Sequence, residues 1–267
     1  MAANPLLDRL QSGRTSIGVW ANSPDMVELC AFVGFHWVMI DQMFTAHDWH
    51  RVEELIRAAD ASGITPVLRI QSNPWLGYDH RIAVDVARAN GVGAQFMLVS
   101  NSNKKEIEEC LEAARDWHRK ALSIHPYRDF EQWEGGLRRQ ADRTYVIPQP
   151  ETLGALEWLE ETIKEPDIRI VFIAMTDASR VLTGSHRPDW YNRKLWDYVD
   201  RAVELGKEHG VVVGANTSYA YDLDELRRRV EILAEHGARM IMAQGAPFIF
   251  QLAATKFLSD LKPILED

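Results

Sequence analysis

Residues 37–70 read WVMIDQMFTAHDWHRVEELIRAADASGITPVLRI. The stretch holds one unit that recurs along the whole chain. It opens on an apolar run, 37–41, that ends in an acid. A polar connection leads into an amphipathic segment, 49–62, that stops at Gly63. A second apolar run, 66–70, follows and carries Arg69 near its end. Short runs that are apolar throughout, rather than alternating, mark strands buried on both faces. A helix between two such strands implies parallel pairing through a right-handed crossover.

The unit repeats on both sides. Further runs lie at 16–20, 94–99, 145–149, 169–174, 211–215 and 239–244, which makes eight strands. Helical patterns cover 25–33, 104–121, 153–163, 196–209 and 223–236. The first follows Ser23-Pro24, a cap and a first-turn proline, and the last two stop at Gly210 and Gly237. Eight strand–helix units close naturally into a (β/α)8 TIM barrel, with an open doubly wound sheet as the alternative. No linker or low-complexity tract divides the sequence, so residues 1–267 read as a single barrel domain.

Composition narrows the function. With 267 residues, 30 Lys plus Arg and 39 Asp plus Glu, the net charge is −9. An acidic chain is a poor fit to nucleic acid or an anionic membrane. No apolar run approaches the ~20 residues that span a bilayer. The segment 1–10 lacks the apolar centre of a signal peptide. Cys30 and Cys110 are too few for a disulfide framework, so a reducing, cytoplasmic setting is expected.

In a barrel, the loops leaving the C-terminal ends of the strands form the active-site face. The polar residues there are Asp41, Gln42, His47, Asp48 and His50 after the second run, Arg69 on the third, Gln149 and Glu151 after the fifth, Asp177 after the sixth and Asn216 after the seventh. Glu151 and Asp177 on neighbouring strands, opposite a guanidinium, suit an oxygen-ligand site for Mg, Mn or Co. Arg69 would clamp an anionic oxygen there. Each residue also has a structural alternative: Asp41 and Asp177 as helix caps, Arg69 as an internal ion-pair partner. The pair His47-x-x-His50 has metal-ligand-like spacing, against the alternative of a solvated first helical turn. Trp20, at a strand end, and Trp190 with Tyr191, in the long connection after Asp177, are candidates for a pocket wall. Trp37, Trp75, Trp117 and Trp158 read as core or interface. The other long connection, Ser100 to Thr144, carries an Arg-, Trp- and Gly-rich segment at 125–143. No nucleophile elbow, P-loop or zincin motif occurs, and no strand end carries a Schiff-base lysine.

The sequence resembles the metal-dependent class II pyruvate aldolases, the group of 4-hydroxy-2-oxoheptanedioate aldolase and the citrate lyase β-subunit. Gly34-Phe35-His36-Trp37-Val38-Met39-Ile40-Asp41 resembles the family's "GFDWLLID", Pro66-Val67-Leu68-Arg69 its arginine strand, and Gln149-Pro150-Glu151-Thr152 its "QIET". Residues 171–179, VFIAMTDAS, resemble "VFIGPADLS". The resemblance implies a pyruvate-type (β/α)8 barrel and a carbon–carbon lyase acting on a 2-oxo acid through a metal-bound enolate. Glu151 and Asp177 would hold a divalent metal. Arg69 would steady the enolate oxygen, and the main chain of Ala174, Met175 and Thr176 would receive the carboxylate, with Gln149 and Trp20 also facing substrate. The family reads D-x-E-H after its second strand, where its histidine is the acid/base. Here the stretch is Asp41-Gln42-Met43-Phe44, so His47 or His50, with Asp41, would have to move the proton. The family's "PPxGxRG" is reduced to His125-Pro126-Tyr127-Arg128, and its late aspartate is Ala246. Expected partners are a small-molecule 2-oxo acid and an aldehyde, with no nucleic acid and no membrane. Family members form trimers and hexamers, so a homo-oligomer is expected. Phe248, Ile249, Phe250 and Leu252 suit its interface, or equally a helix buried within one chain. A decarboxylase or hydratase of an aromatic-derived acid, and a non-catalytic barrel that binds a metal–oxo-acid complex, are the rival readings.

Overall fold

The computed structural model describes residues 5–70, 79, 81–101, 103–120 and 144–265. Trp75 and the segment 125–143 singled out above lie outside the described residues. Eight parallel strands alternate with helices in chain order: α1 (Pro5–Gln11), β1 (Ser16–Trp20), α2 (Pro24–Val33), β2 (Trp37–Asp41), α3 (Trp49–Ser62), β3 (Thr65–Arg69), α4 (Arg81–Gly91), β4 (Phe96–Asn101), α5 (Lys104–Lys120) and β5 (Tyr145–Pro150). After them come α6 (Leu153–Glu157), α7 (Leu159–Ile163), β6 (Ile170–Ile173), α8 (Met175–Thr183), α9 (Arg193–His209), β7 (Val212–Asn216), α10 (Leu223–Glu235), β8 (Met240–Gly245), α11 (Ala246–Asp260) and α12 (Lys262–Leu265). The strands are ordered β5-β4-β3-β2-β1-β8-β7-β6, and β5 packs beside β6, so the sheet curls into a nearly closed (β/α)8 barrel. The open-sheet alternative is excluded.

Both faces of each strand are buried, which is why the runs are apolar throughout. Val38 and Ile40 of β2 point outward into the layer shared with the helices, while Trp37 and Met39 point into the barrel. Val67, Phe96, Leu98, Ile147, Phe172 and Met240 fill the interior beside them. Leu6, Leu7 and Leu10 of α1 join that cluster and plug the end where the strands begin. The interior is crowded enough to demand glycine at Gly18: a Cβ there would lie 2.2 Å from the Trp37 ring.

Three sequence expectations change. Strand limits shift by one or two residues, as at β3, which runs Thr65–Arg69. The pattern at 153–163 is two short helices meeting at Trp158. Trp190 is core rather than pocket wall: its ring is buried, meets Trp196 edge-on at 5.3 Å and lies under the Arg229 guanidinium. Among the described residues no helix is long and apolar enough to cross a membrane.

Candidate active site

Side chains along a strand alternate in direction, so the phase set in the barrel interior decides what faces its mouth. Two residues beyond inward-facing Met39 stands Asp41, and two beyond Val67 stands Arg69. The same step from Leu98 gives Ser100, and from Ile147 gives Gln149 and then Glu151. From Phe172 it gives Ala174, the residue before α8. Register on β2 and β3 sets Asp41 directly beside Arg69.

That pairing is a two-point hydrogen-bonded ion pair. Arg69 Nε donates to Asp41 Oδ1 at 2.9 Å and Nη2 donates to Oδ2 at 2.5 Å. The side chains are only 11% and 5% exposed. The Met43 and Phe44 amides also donate to Asp41 Oδ1, so this carboxylate holds both the arginine and the turn that leaves β2. Asp41 therefore acts on Arg69 as an anchor, with its oxygens already committed.

Glu151 lies almost wholly buried, and its Oε2 has no hydrogen-bond partner. Burial first, and then the Asp177 charge, push its carboxyl up to about 7, while Arg69 pulls the other way. Burial also raises Asp177, opposed by Arg180 and Arg69. Arg180 approaches Asp177 at 3.6 Å. Two carboxylates thus share one partly desolvated volume, with Arg69 near both and Arg180 at the more exposed Asp177, an arrangement in which a cation relieves the unmet electrostatic demand at Glu151. Among the described residues no group of three or more His, Cys, Asp or Glu could hold a metal ion. Two carboxylates with the remaining positions left to substrate and water fit magnesium-like coordination, not a closed zinc cage. The orphaned Glu151 Oε2 fits such an ion.

The other candidates divide. Gln149 is buried, and its Oε1 accepts from Ser100 Oγ at 3.1 Å. Ser100 escaped the sequence reading; its signal was the phase of β4, which puts it in line with Leu98. Met175 N–H, at the start of α8, donates to Asn216 Oδ1 at 3.0 Å, and Thr176 Oγ1 meets Ser218 Oγ at 2.7 Å. Asn216 thereby caps a helix that has no side-chain cap of its own. Trp20 packs against the interior cluster with Nε1 buried and unpartnered. His47 lies next to Asp41, with Nδ1 buried and unpartnered; partial burial and then Arg51 lower its proton affinity, against the pull of Asp41. His50 is not brought to the group: its side chain is 82% exposed and faces Glu54 on α3 at 4.0 Å. Asp48 caps α3 through Arg51 N.

Known proteins share this architecture. The chain is 26% identical to the hydroxypyruvate/pyruvate aldolase of Paraburkholderia phytofirmans, over 95% of each chain. It is 25% identical to the 4-hydroxy-2-oxo-heptane-1,7-dioate aldolase of Shigella sonnei, over 92% of this chain and 95% of the relative. The chain is a divergent relative of these aldolases. An HpcH/HpaI aldolase/citrate lyase family protein of Burkholderia cenocepacia superposes with a TM-score of 0.79 at 22% identity, covering 97% of this chain and all of that one, which shows the common fold. No protein-family profile matches the chain. The aldolase relatives are, by their names, carbon–carbon lyases.

Proposed function

We propose that the protein is a divalent-metal-dependent aldolase that cleaves or forms a 4-hydroxy-2-oxo acid, with pyruvate or a close 2-oxo acid as one product. The observation that carries this is the pairing of buried Glu151 with half-buried Asp177 near Arg69 at the barrel mouth, with Glu151 Oε2 unpartnered. Glu151 and Asp177 would hold a magnesium, manganese or cobalt ion. A bound ion of this kind supplies Lewis-acid polarisation of a ketone carbonyl. Arg69, fixed in direction by Asp41, faces the oxygen on which enolate charge develops, the kind of preorganised donor worth ~3 kcal/mol in a transition state. With the Met175 amide held by Asn216, the Thr176 amide and hydroxyl at the start of α8 offer donors for the 2-oxo acid carboxylate, with Gln149 and Trp20 lining the same mouth.

His47 is the residue best suited to move the proton. Partial burial and Arg51 favour its neutral imidazole, and Nδ1 has no hydrogen-bond partner. In the cleavage direction His47 takes the proton of the C4 hydroxyl. The C3–C4 bond then breaks, its electron pair becomes the enolate, and the aldehyde departs. The imidazolium returns its proton to C3, which yields the 2-oxo acid and restores the base. Asp41 positions Arg69 in this scheme and takes no proton. The protein would work in a reducing, cytoplasmic compartment, with both cysteines buried and unpaired, and as a homo-oligomer joined through α11.

Exchange of pyruvate methyl protons with deuterated water, followed by NMR, tests the proposal. Exchange should need Mg, Mn or Co and should vanish after exhaustive chelation. Full exchange in chelated protein, or none with any of the three metals, overturns it.

A further inference from the structure

Four aromatic rings stand at or just after the ends of β2, β1, β8 and β7, on one side of the mouth. Going round from β2 they are Phe44 in the β2–α3 connection, Trp20 at the end of β1, Phe248 in the first turn of α11 after β8, and Tyr219 in the β7–α10 connection. Three contacts join them to each other and to the centre. The Phe44 ring lies 4.8 Å from the Arg69 guanidinium carbon. Trp20 and Phe248 close over Gly245, where a Cβ would stand 2.4 Å from one ring and 3.2 Å from the other. Phe248 meets Tyr219 edge to face at 5.8 Å. Phe44 and Tyr219 are nonetheless 67% and 63% exposed. Their free faces form an apolar wall that begins on the residue proposed to steady the enolate.

The charge around this wall is as informative as the rings. The connections that carry them, 21–23, 42–48, 217–222 and 245–248, contain neither lysine nor arginine. The guanidiniums that border these connections are already engaged, Arg51 by Glu54 and the Asn22 carbonyl, and Arg229 by Glu225 and the Thr217 and Tyr219 carbonyls. An acceptor ending in a second carboxylate would lose hydration against the wall and have to compete for those cations, whereas a neutral apolar one loses nothing. The face belongs to the mouth and not to the outer surface of α11. Phe248 and Phe250 are two residues apart, so they project about 200° from each other around the helix.

We infer that this half-ring is the acceptor subsite, and that it selects a neutral aromatic or branched aliphatic aldehyde over one carrying a second carboxylate. The inference rests on the aldolase reading above. In the synthetic direction the enolate carbon of pyruvate bonds to the aldehyde carbon, the carbonyl electron pair moves to oxygen, and that oxygen takes the proton that the base removed from the pyruvate methyl group. Nothing else is consumed. Phe44 sets the near edge of the subsite and Tyr219 its far edge, so neither is required for enolisation.

Two readouts on metal-loaded protein test this. In the first, saturation-transfer NMR compares benzyl alcohol with 4-hydroxybutanoate, unreactive stand-ins for the two acceptor classes. Benzyl alcohol should be saturated and 4-hydroxybutanoate not. Phe44→Ala should weaken the benzyl alcohol signal, and Tyr219→Arg should bring 4-hydroxybutanoate in. In the second, kcat/KM for condensation of pyruvate with benzaldehyde should exceed that with 4-oxobutanoate by roughly tenfold or more, and Tyr219→Arg should narrow or reverse the ratio. Equal saturation of both alcohols, or a benzyl alcohol signal unchanged in both variants, overturns the inference. So does a ratio near one in protein that exchanges pyruvate protons. Selective saturation without any pyruvate exchange would uphold the subsite and remove the aldolase reading.

Discussion

Glu151 is a carboxylate that the fold treats badly: it is buried, sits near a second acid, and has one oxygen with no partner. Such a residue makes sense only if something else completes it. Adding manganese should therefore raise the melting temperature of the wild type, because an ion that binds only the folded state stabilises it by mass action. Glu151→Gln keeps the shape and removes the charge. It should abolish the manganese-induced shift while leaving a folded protein, and pyruvate exchange should fall by about two orders of magnitude. Differential scanning fluorimetry with and without the metal, beside the exchange assay, separates the two losses; an undiminished shift in the variant would show that the ion sits elsewhere. Much of this centre was legible from residue types at strand ends, because inward phase carries Asp41, Arg69 and Glu151 to one mouth once a barrel is assumed. The Arg69–Phe44 contact was not legible, since a phenylalanine in a connection does not say where its ring lies. Trp190 misled for a related reason: an aromatic in a long connection can turn inward, and here Trp196 and Arg229 hold it there.

Strands and helices were readable because each carries its own period and punctuation. Gly34, Gly63 and Gly210 take the left-handed conformation that ends α2, α3 and α9, and Ser23, Asp48 and Asp222 cap helix starts through their side chains. Seven-residue α1 was missed, since a short helix has little intrinsic stability and exists here because Leu6, Leu7 and Leu10 plug the barrel. Two tests probe how the strands pack. At Gly18 of β1 the space of a methyl group is filled by the Trp37 ring, itself fully buried and edge-on to Phe172. Gly18→Ala should cost ~3 kcal/mol by urea denaturation, the upper range for overpacking, and a smaller residue at Trp37 should absorb most of that cost in a double-mutant cycle. A cost below ~1 kcal/mol would mean that the ring moves freely. Where β1 meets β2, His36 Nδ1 lies 3.1 Å from the Ile17 amide, whose carbonyl already accepts from His36 N. Burial first, then Arg9, lower the pKa of this histidine. Its unfolded form binds the proton more readily, so its contribution is complete above about pH 6.5 and is lost as pH falls below that value. The wild type should lose more stability than His36→Gln between pH 7.5 and 5.5; parallel denaturation curves at both pH values would refute the role.

Closure of the eight strands into a barrel could not be read from any one unit, because each βαβ step is equally compatible with an open sheet; only the count favoured closure, and the strand order establishes it. Assembly is subtler still. The apolar run from Phe248 to Leu258 suited either a helix buried in its own chain or one buried against another. In the single chain, α11 buries only Ala246. Phe250 is 71% and Phe257 62% exposed, and the two stand seven residues apart, hence on one face, with Leu258 beside them. Ile264 of α12 extends the same exposed apolar character toward the chain end. A contiguous surface of this kind is costly to leave in water, whereas an isologous or cyclic contact between copies buries it at every protomer. The wild type should therefore sediment as a multiple of its 30.5 kDa chain at micromolar concentration. Phe250→Glu combined with Phe257→Glu would place two charges in the interface and should shift the mass to that of one chain. Circular dichroism should be retained, because neither side chain belongs to the barrel core. A wild type that sediments as a single chain at these concentrations would remove the interface. An unchanged multimer in the double variant would move it to another face.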